Sequence, residues 1–80
     1  MPNNYKGVIL MPLTMAKAGE NLLIKKILGR DETKKFLETL GFVIGGFVTV
    51  VSENNGNVIV MVKNSRVAID KSMANRIMVW

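Results

Sequence analysis

The sequence predicts a mainly β fold, a small barrel of about five short strands with one inserted α-helix. Three observations predict it. Valine and isoleucine are abundant and, after residue 46, alternate with other side chains over short runs. Gly and Asn interrupt those runs at close intervals. Only one stretch, from Asp31 to Gly41, repeats its apolar residues at helical spacing. Closing so small a sheet removes the free strand edges that an open one would expose.

The elements follow in order. Residues 1–12 form an N-terminal extension, with turn-formers Pro2, Asn3 and Asn4, an apolar run at 8–10, and Pro12. This is a tail, or a short strand added to an edge, and the domain is placed at 13–80. Lys17-Ala18-Gly19-Glu20 turns into a strand carrying Leu22, Leu23, Ile24, Ile27 and Leu28, with Lys25 and Lys26 in its middle. Gly29 ends it. Asp31 is read as the N-cap of the helix, its carboxylate accepting from a free backbone N–H. Thr33, Phe36, Leu37 and Leu40 recur at helical spacing, and Gly41 supplies a left-handed stop. Gly45-Gly46 opens a strand over 47–52, and Asn54-Asn55-Gly56-Asn57 reverses the chain into a strand over 58–63. After Asn64-Ser65 come a strand over 66–69, a helical turn capped by Asp70-Lys71-Ser72, and a last strand over 77–80.

Composition narrows the function. Eighty residues suffice for one domain, and a 49% hydrophobic share excludes disorder. The chain has no cysteine and no histidine. It therefore lacks a disulfide framework, a thiolate nucleophile, the commonest metal ligand and the usual general base near neutral pH. Of the six carboxylates only Asp31 and Glu32 are adjacent, at the start of the helix, where they read as a solvated N-terminus rather than a metal site. No nucleophile, base and orienting group form a set. The chain is expected to be no enzyme and to need no metal or cofactor. The strongly apolar stretch 42–51 is broken by Gly45 and Gly46 and is about half the length that spans a bilayer. The apolar run at 8–11 is too short for the core of a signal peptide, so a cytoplasmic location is expected.

Alternation separates the faces of the central hairpin. Val48, Val50, Val58, Val60 and Val62 share a parity and line the core. Phe47, Thr49 and Val51, then Ile59, Met61 and Lys63, take the outer face, which leaves Phe47, Ile59 and Met61 as apolar side chains standing outside. Two readings stay open: the N-terminal segment or the helix folds over this face, or it docks a partner. The net charge of +5 is spread over most elements. No aromatic residue is interleaved with a basic cluster along the chain, so no nucleic-acid partner is expected. The Lys34–Lys35 pair reads as a solvated helix face.

The pattern of small residues and aliphatics resembles the ferrous iron transport protein A (FeoA) family. Leu13, Met15 and Gly19-Glu20 are similar to its opening pattern. Leu37 and Leu40-Gly41-Phe42 with Gly45 are similar to its helix-to-strand signature. Val67-Ala68-Ile69, Met73-Ala74, Ile77 and Val79 are similar to its closing pattern. Ala18 and Ile44 depart from it, standing where the family commonly has proline before glycine. The resemblance implies an SH3-like barrel with the helix inserted after the first strand. It also implies a cytoplasmic accessory of ferrous iron uptake that contacts the GTP-binding portion of a ferrous iron permease, peripheral to the membrane through that partner. The contact region expected on that basis is Lys34, Lys35, Phe36 and Glu38 of the helix with Phe47 and Met61. The alternatives are a regulatory barrel like the C-terminal domain of metal-dependent repressors and a basic RNA-binding barrel. Self-association through exposed apolar positions also stays open.

Overall fold

A computed structural model describes residues 9–80, and the readings placed on residues 1–8 lie outside it. The described chain forms β1 (Met11–Pro12), a 3-10 turn (Leu13–Met15), β2 (Asn21–Ile27) and α1 (Asp31–Thr39), followed by β3 (Phe47–Asn54) and β4 (Asn57–Val62). Then come β5 (Ser65–Asp70), α2 (Lys71–Ala74) and β6 (Ile77–Val79). All strand pairs are antiparallel, in the order β1-β6-β2-β3-β4-β5. The fold is mainly β, an SH3-like barrel left partly open, because no pairing among the described residues joins β5 to β1.

The alternation expected of the hairpin holds. Val48, Val50, Val58, Val60 and Val62 are all buried and form one core with Leu13, Ile24, Leu37, Phe42 and Ile77. Val67 and Ile69 of β5 face Val60 and Val58 and complete that inner layer. Burial of a side chain of this size is worth about 1.5–3 kcal/mol, which is why the parity of each strand is held so firmly.

Two bulges adjust the pattern. In β3 the register slips between Val50 and Ser52, so half-buried Val51 has no partner on β4 and leaves the outer row assigned to it. In β2 the register against β6 slips between Ile24 and Lys26. That bulge keeps Ile24 and Ile27 buried while Lys25 and Lys26 are both exposed, which explains how two lysines sit in the middle of a core strand. Leu28, expected in this strand, lies beyond its end and is exposed.

The helix begins differently from expectation. Arg30 is the N-cap and makes no side-chain cap bond, while Asp31 is the first helical residue. Asp31 and Glu32 then act on the helix dipole from the first turn instead of capping it. The C-terminus behaves as expected. Gly41 adopts φ +107°, its N–H donates to Glu38 O, and the Phe42 N–H reaches back to Leu37 O at 3.0 Å. This doubly bonded stop turns Phe42 into the core beside Leu37. At α2 the expected cap is present: the Asp70 carboxylate accepts from the Met73 N–H at 2.8 Å and from the Ser72 hydroxyl. Those two bonds hold its pKa below the usual carboxylate value.

At the beginning of the chain, Met11 and Pro12 pair with Val79 and Met78 of β6. The sheet thus takes in two residues that the sequence places in the extension.

Candidate partner-binding surfaces

Helix α1 is anchored to the barrel by buried Leu37, and the residues on either side of Leu37 line two different grooves. On one side Lys34 and Glu38 line an open groove of about 400 Å³ with Lys26, Ile27, Val43 and Ile44. On the other, Phe36 and Leu40 line a groove of about 370 Å³ with Ala68, Ile69, Asp70 and Met73. Phe36 is half exposed at its mouth, and Lys35 is exposed but lines neither groove.

The second groove borders a free strand edge. In the β4–β5 hairpin the pairs Val62–Ser65, Val60–Val67 and Val58–Ile69 alternate with Met61–Arg66 and Ile59–Ala68. A two-residue turn makes the first set the hydrogen-bonded pairs, so the backbone N–H and C=O of Arg66 and Ala68 point away from β4. No backbone partner for them is found among the described residues.

Phe47 and Met61 belong to the outer face of the sheet. Phe47 is opposite Leu23 on β2, and Leu23 exchanges both backbone hydrogen bonds with Trp80 at 3.1 and 3.2 Å. Trp80, Leu23 and Phe47 therefore form one cross-strand row. The next row is Asn21, Thr49, Met61 and Arg66, with the Thr49 hydroxyl donating to Asn21 Oδ1 at 3.0 Å. Met61 is only half-buried, and the Lys25 ammonium lies 5.0 Å from the centre of the Trp80 ring. The helix does not cover Phe47, which is 57% exposed.

The six residues expected from the sequence are thus divided. Lys34 and Glu38 share one groove, Phe36 lines another, exposed Lys35 lines neither, and Phe47 and Met61 stand on the sheet. Sequence reasoning missed Leu23 and Trp80, whose signal was their parity opposite the buried Ile24 and Val79, and Ala68 and Met73, which only the fold brings to Phe36. Basic and aromatic residues that are separated along the chain (Lys25, Phe47, Arg66, Trp80) also meet on one face. Among the described residues no group of three or more Asp or Glu could hold a metal ion, and no helix is long and apolar enough to cross a membrane.

These features define a small SH3-like barrel that offers grooves and an apolar sheet face. The chain belongs to the FeoA domain family, whose model matches residues 11–80. It is 37% identical over 70 residues to a Methanocaldococcus jannaschii protein provisionally named Fe(2+) transport protein A, covering 88% of this chain and 85% of that one. The crystal structure of an iron uptake regulatory protein (FeoA) superposes with a TM-score of 0.82 at 30% identity, covering 91% of this chain and 97% of that one. A manganese-dependent transcriptional repressor has the same barrel (TM-score 0.79, 15% identity, 88% of this chain and 40% of the repressor), a likeness of fold alone.

Proposed function

We propose that this protein is an accessory of ferrous iron uptake that docks, through α1, on the cytoplasmic GTP-binding portion of a ferrous iron permease. Family membership across residues 11–80 is the observation that carries this reading. The geometry supports it, because the helix presents charged and apolar contacts on opposite sides of one buried anchor. Lys34, Lys35 and Glu38 supply the polar contacts, and Phe36 supplies the apolar one over the groove it shares with Leu40 and Met73. Docking of this kind requires shape and surface, not a nucleophile. Phe47 and Met61, on the sheet, are left outside this contact.

Titration of the chain against the permease's isolated cytoplasmic domain tests it. Phe36→Asp is expected to weaken binding by about tenfold or more, as loss of a central apolar anchor does. The side chain is half exposed, so the fold should survive, and circular dichroism checks that it does. Unchanged affinity with an intact fold would remove the helix from the interface. Absence of any binding by the unaltered chain would remove the reading itself.

A further inference from the structure

The outer face of the sheet changes character from one end to the other. At one end, β3 starts at Phe47, the β4–β5 turn carries Lys63, β5 starts with Ser65 and Arg66, and the chain finishes at Trp80. Lys25 reaches over Trp80, and exposed Ile44 lies at the same end of β2 in a groove with Lys26 and Lys34, where Glu38 is the one carboxylate. At the other end, about 20 Å away for six residues of strand, Glu53 pairs with Lys71 and Asp70 caps α2. Neither outer row contains a carboxylate: the first is Trp80, Leu23 and Phe47, the second Asn21, Thr49, Met61 and Arg66.

We propose that this basic, apolar end of the sheet binds directly to the headgroup region of an anionic lipid bilayer. The two kinds of side chain found together match that surface. Trp80, Phe47 and Ile44 are 40%, 57% and 67% exposed, enough apolar surface to enter the boundary between headgroups and acyl chains. Lys25, Lys26, Lys63 and Arg66 surround them with four positive charges facing lipid phosphates. Charge complementarity selects an anionic partner. The choice of lipid over nucleic acid rests on the aliphatic share of this surface. The Lys25 ammonium lies 5.0 Å from the centre of the Trp80 ring, so one face of the indole is already engaged. Leu23, Met61 and Ile44 add aliphatic surface, which acyl chains accept and bases do not stack on.

The test uses the full chain and vesicles that contain no protein, so its outcome is independent of the permease reading. Trp80 is the only tryptophan and reports on the face directly. Vesicles of phosphatidylcholine with phosphatidylglycerol should shift its emission to the blue and carry the protein into the pellet. Phosphatidylcholine alone should do neither. Lys63→Gln/Arg66→Gln should weaken binding about 25-fold, at about fivefold per basic residue. Phe47→Gln should weaken it about tenfold. Lys17→Gln/Lys71→Gln removes the same charge, with Lys71 at the far end beside Glu53, and should have a much smaller effect. The proposal is overturned by any of three results. The anionic vesicles fail to bind at low salt, or the two double variants lose affinity equally. The third is a single-stranded RNA oligomer, or self-association that Phe47→Gln abolishes, competing the vesicles away.

Discussion

The two hairpin turns of the sheet have the same geometry and different chemistry. Asn55-Gly56 joins β3 to β4, and Lys63-Asn64 joins β4 to β5; in both, each central residue has positive φ (47° and 86°, then 48° and 64°). This is the two-residue turn whose twist suits a hairpin and whose preferred residues are Asn and Gly. The first turn uses that pair. The second puts lysine at a left-handed position, which costs an ordinary residue about 1–2 kcal/mol. The Asn-Gly turn sits at the acidic end of the sheet, near Glu53, and the Lys-Asn turn at the end where Phe47 begins β3. The first turn has the residues its geometry favours. The other keeps a charge beside the apolar row at a conformational cost, which is what a binding surface would require.

Four experiments break or sharpen this contrast. The largest effect comes from the strand both turns share. Val60→Ala, at a fully buried position in the middle of β4, should lower the unfolding free energy by about 2–3 kcal/mol in denaturant titration. Both hairpins should then lose hydrogen-exchange protection together. Gly56→Val should cost about 1–2 kcal/mol through backbone strain alone, since a Cβ there meets nothing within 4 Å. The mirror experiment, Lys63→Gly, should raise stability by about 0.5–1 kcal/mol while weakening binding to anionic vesicles about fivefold. A Lys63→Gly variant that is destabilised would show that the second turn carries no strain. The smallest effect concerns acid. Asp70, with its pKa lowered first by the Met73 N–H and then by the Ser72 hydroxyl, contributes stability that is fully present above its unfolded pKa. That contribution disappears as pH falls through the lowered folded value. Asp70→Asn should therefore lower the melting temperature slightly at neutral pH and flatten the acid limb, so that the two profiles converge as pH falls through the lowered pKa.

How much of this was legible in the sequence depended on how far each feature is local. The alternation of Val58, Val60 and Val62, the stop at Gly41 and the cap at Asp70 are set by residues within a few positions of each other, so the local pattern suffices to predict them. Carboxylates favour both the cap and the first turn, so Asp31 fits either position by sequence, and only the backbone at Arg30 separates the two. The bulges at Val51 and Lys25 leave no mark in the local pattern, because they arise from pairing with β4 and β6. For the same reason the candidate surfaces were only half visible. Phe36, Phe47 and Met61 were recognisable as apolar residues on outer positions. Their neighbours were not, since Ala68 and Met73 reach Phe36, and Trp80 reaches Leu23, only through tertiary register.

The same distinction orders the assembly of the molecule in time. Asn54 meets Asn57, and Val62 meets Ser65, across turns that close quickly, whereas Met11 meets Val79 and Leu23 meets Trp80 only when nearly the whole described chain has been gathered. Loop-closure entropy thus favours the central hairpins forming first, with β6 docking against β1 and β2 after them. In that order Phe47 is placed early, and its row with Leu23 and Trp80 is completed by the last strand to arrive. A chain stalled before that step would have a stable hairpin and no finished apolar row, so the surface proposed to meet lipid also reports that folding is complete.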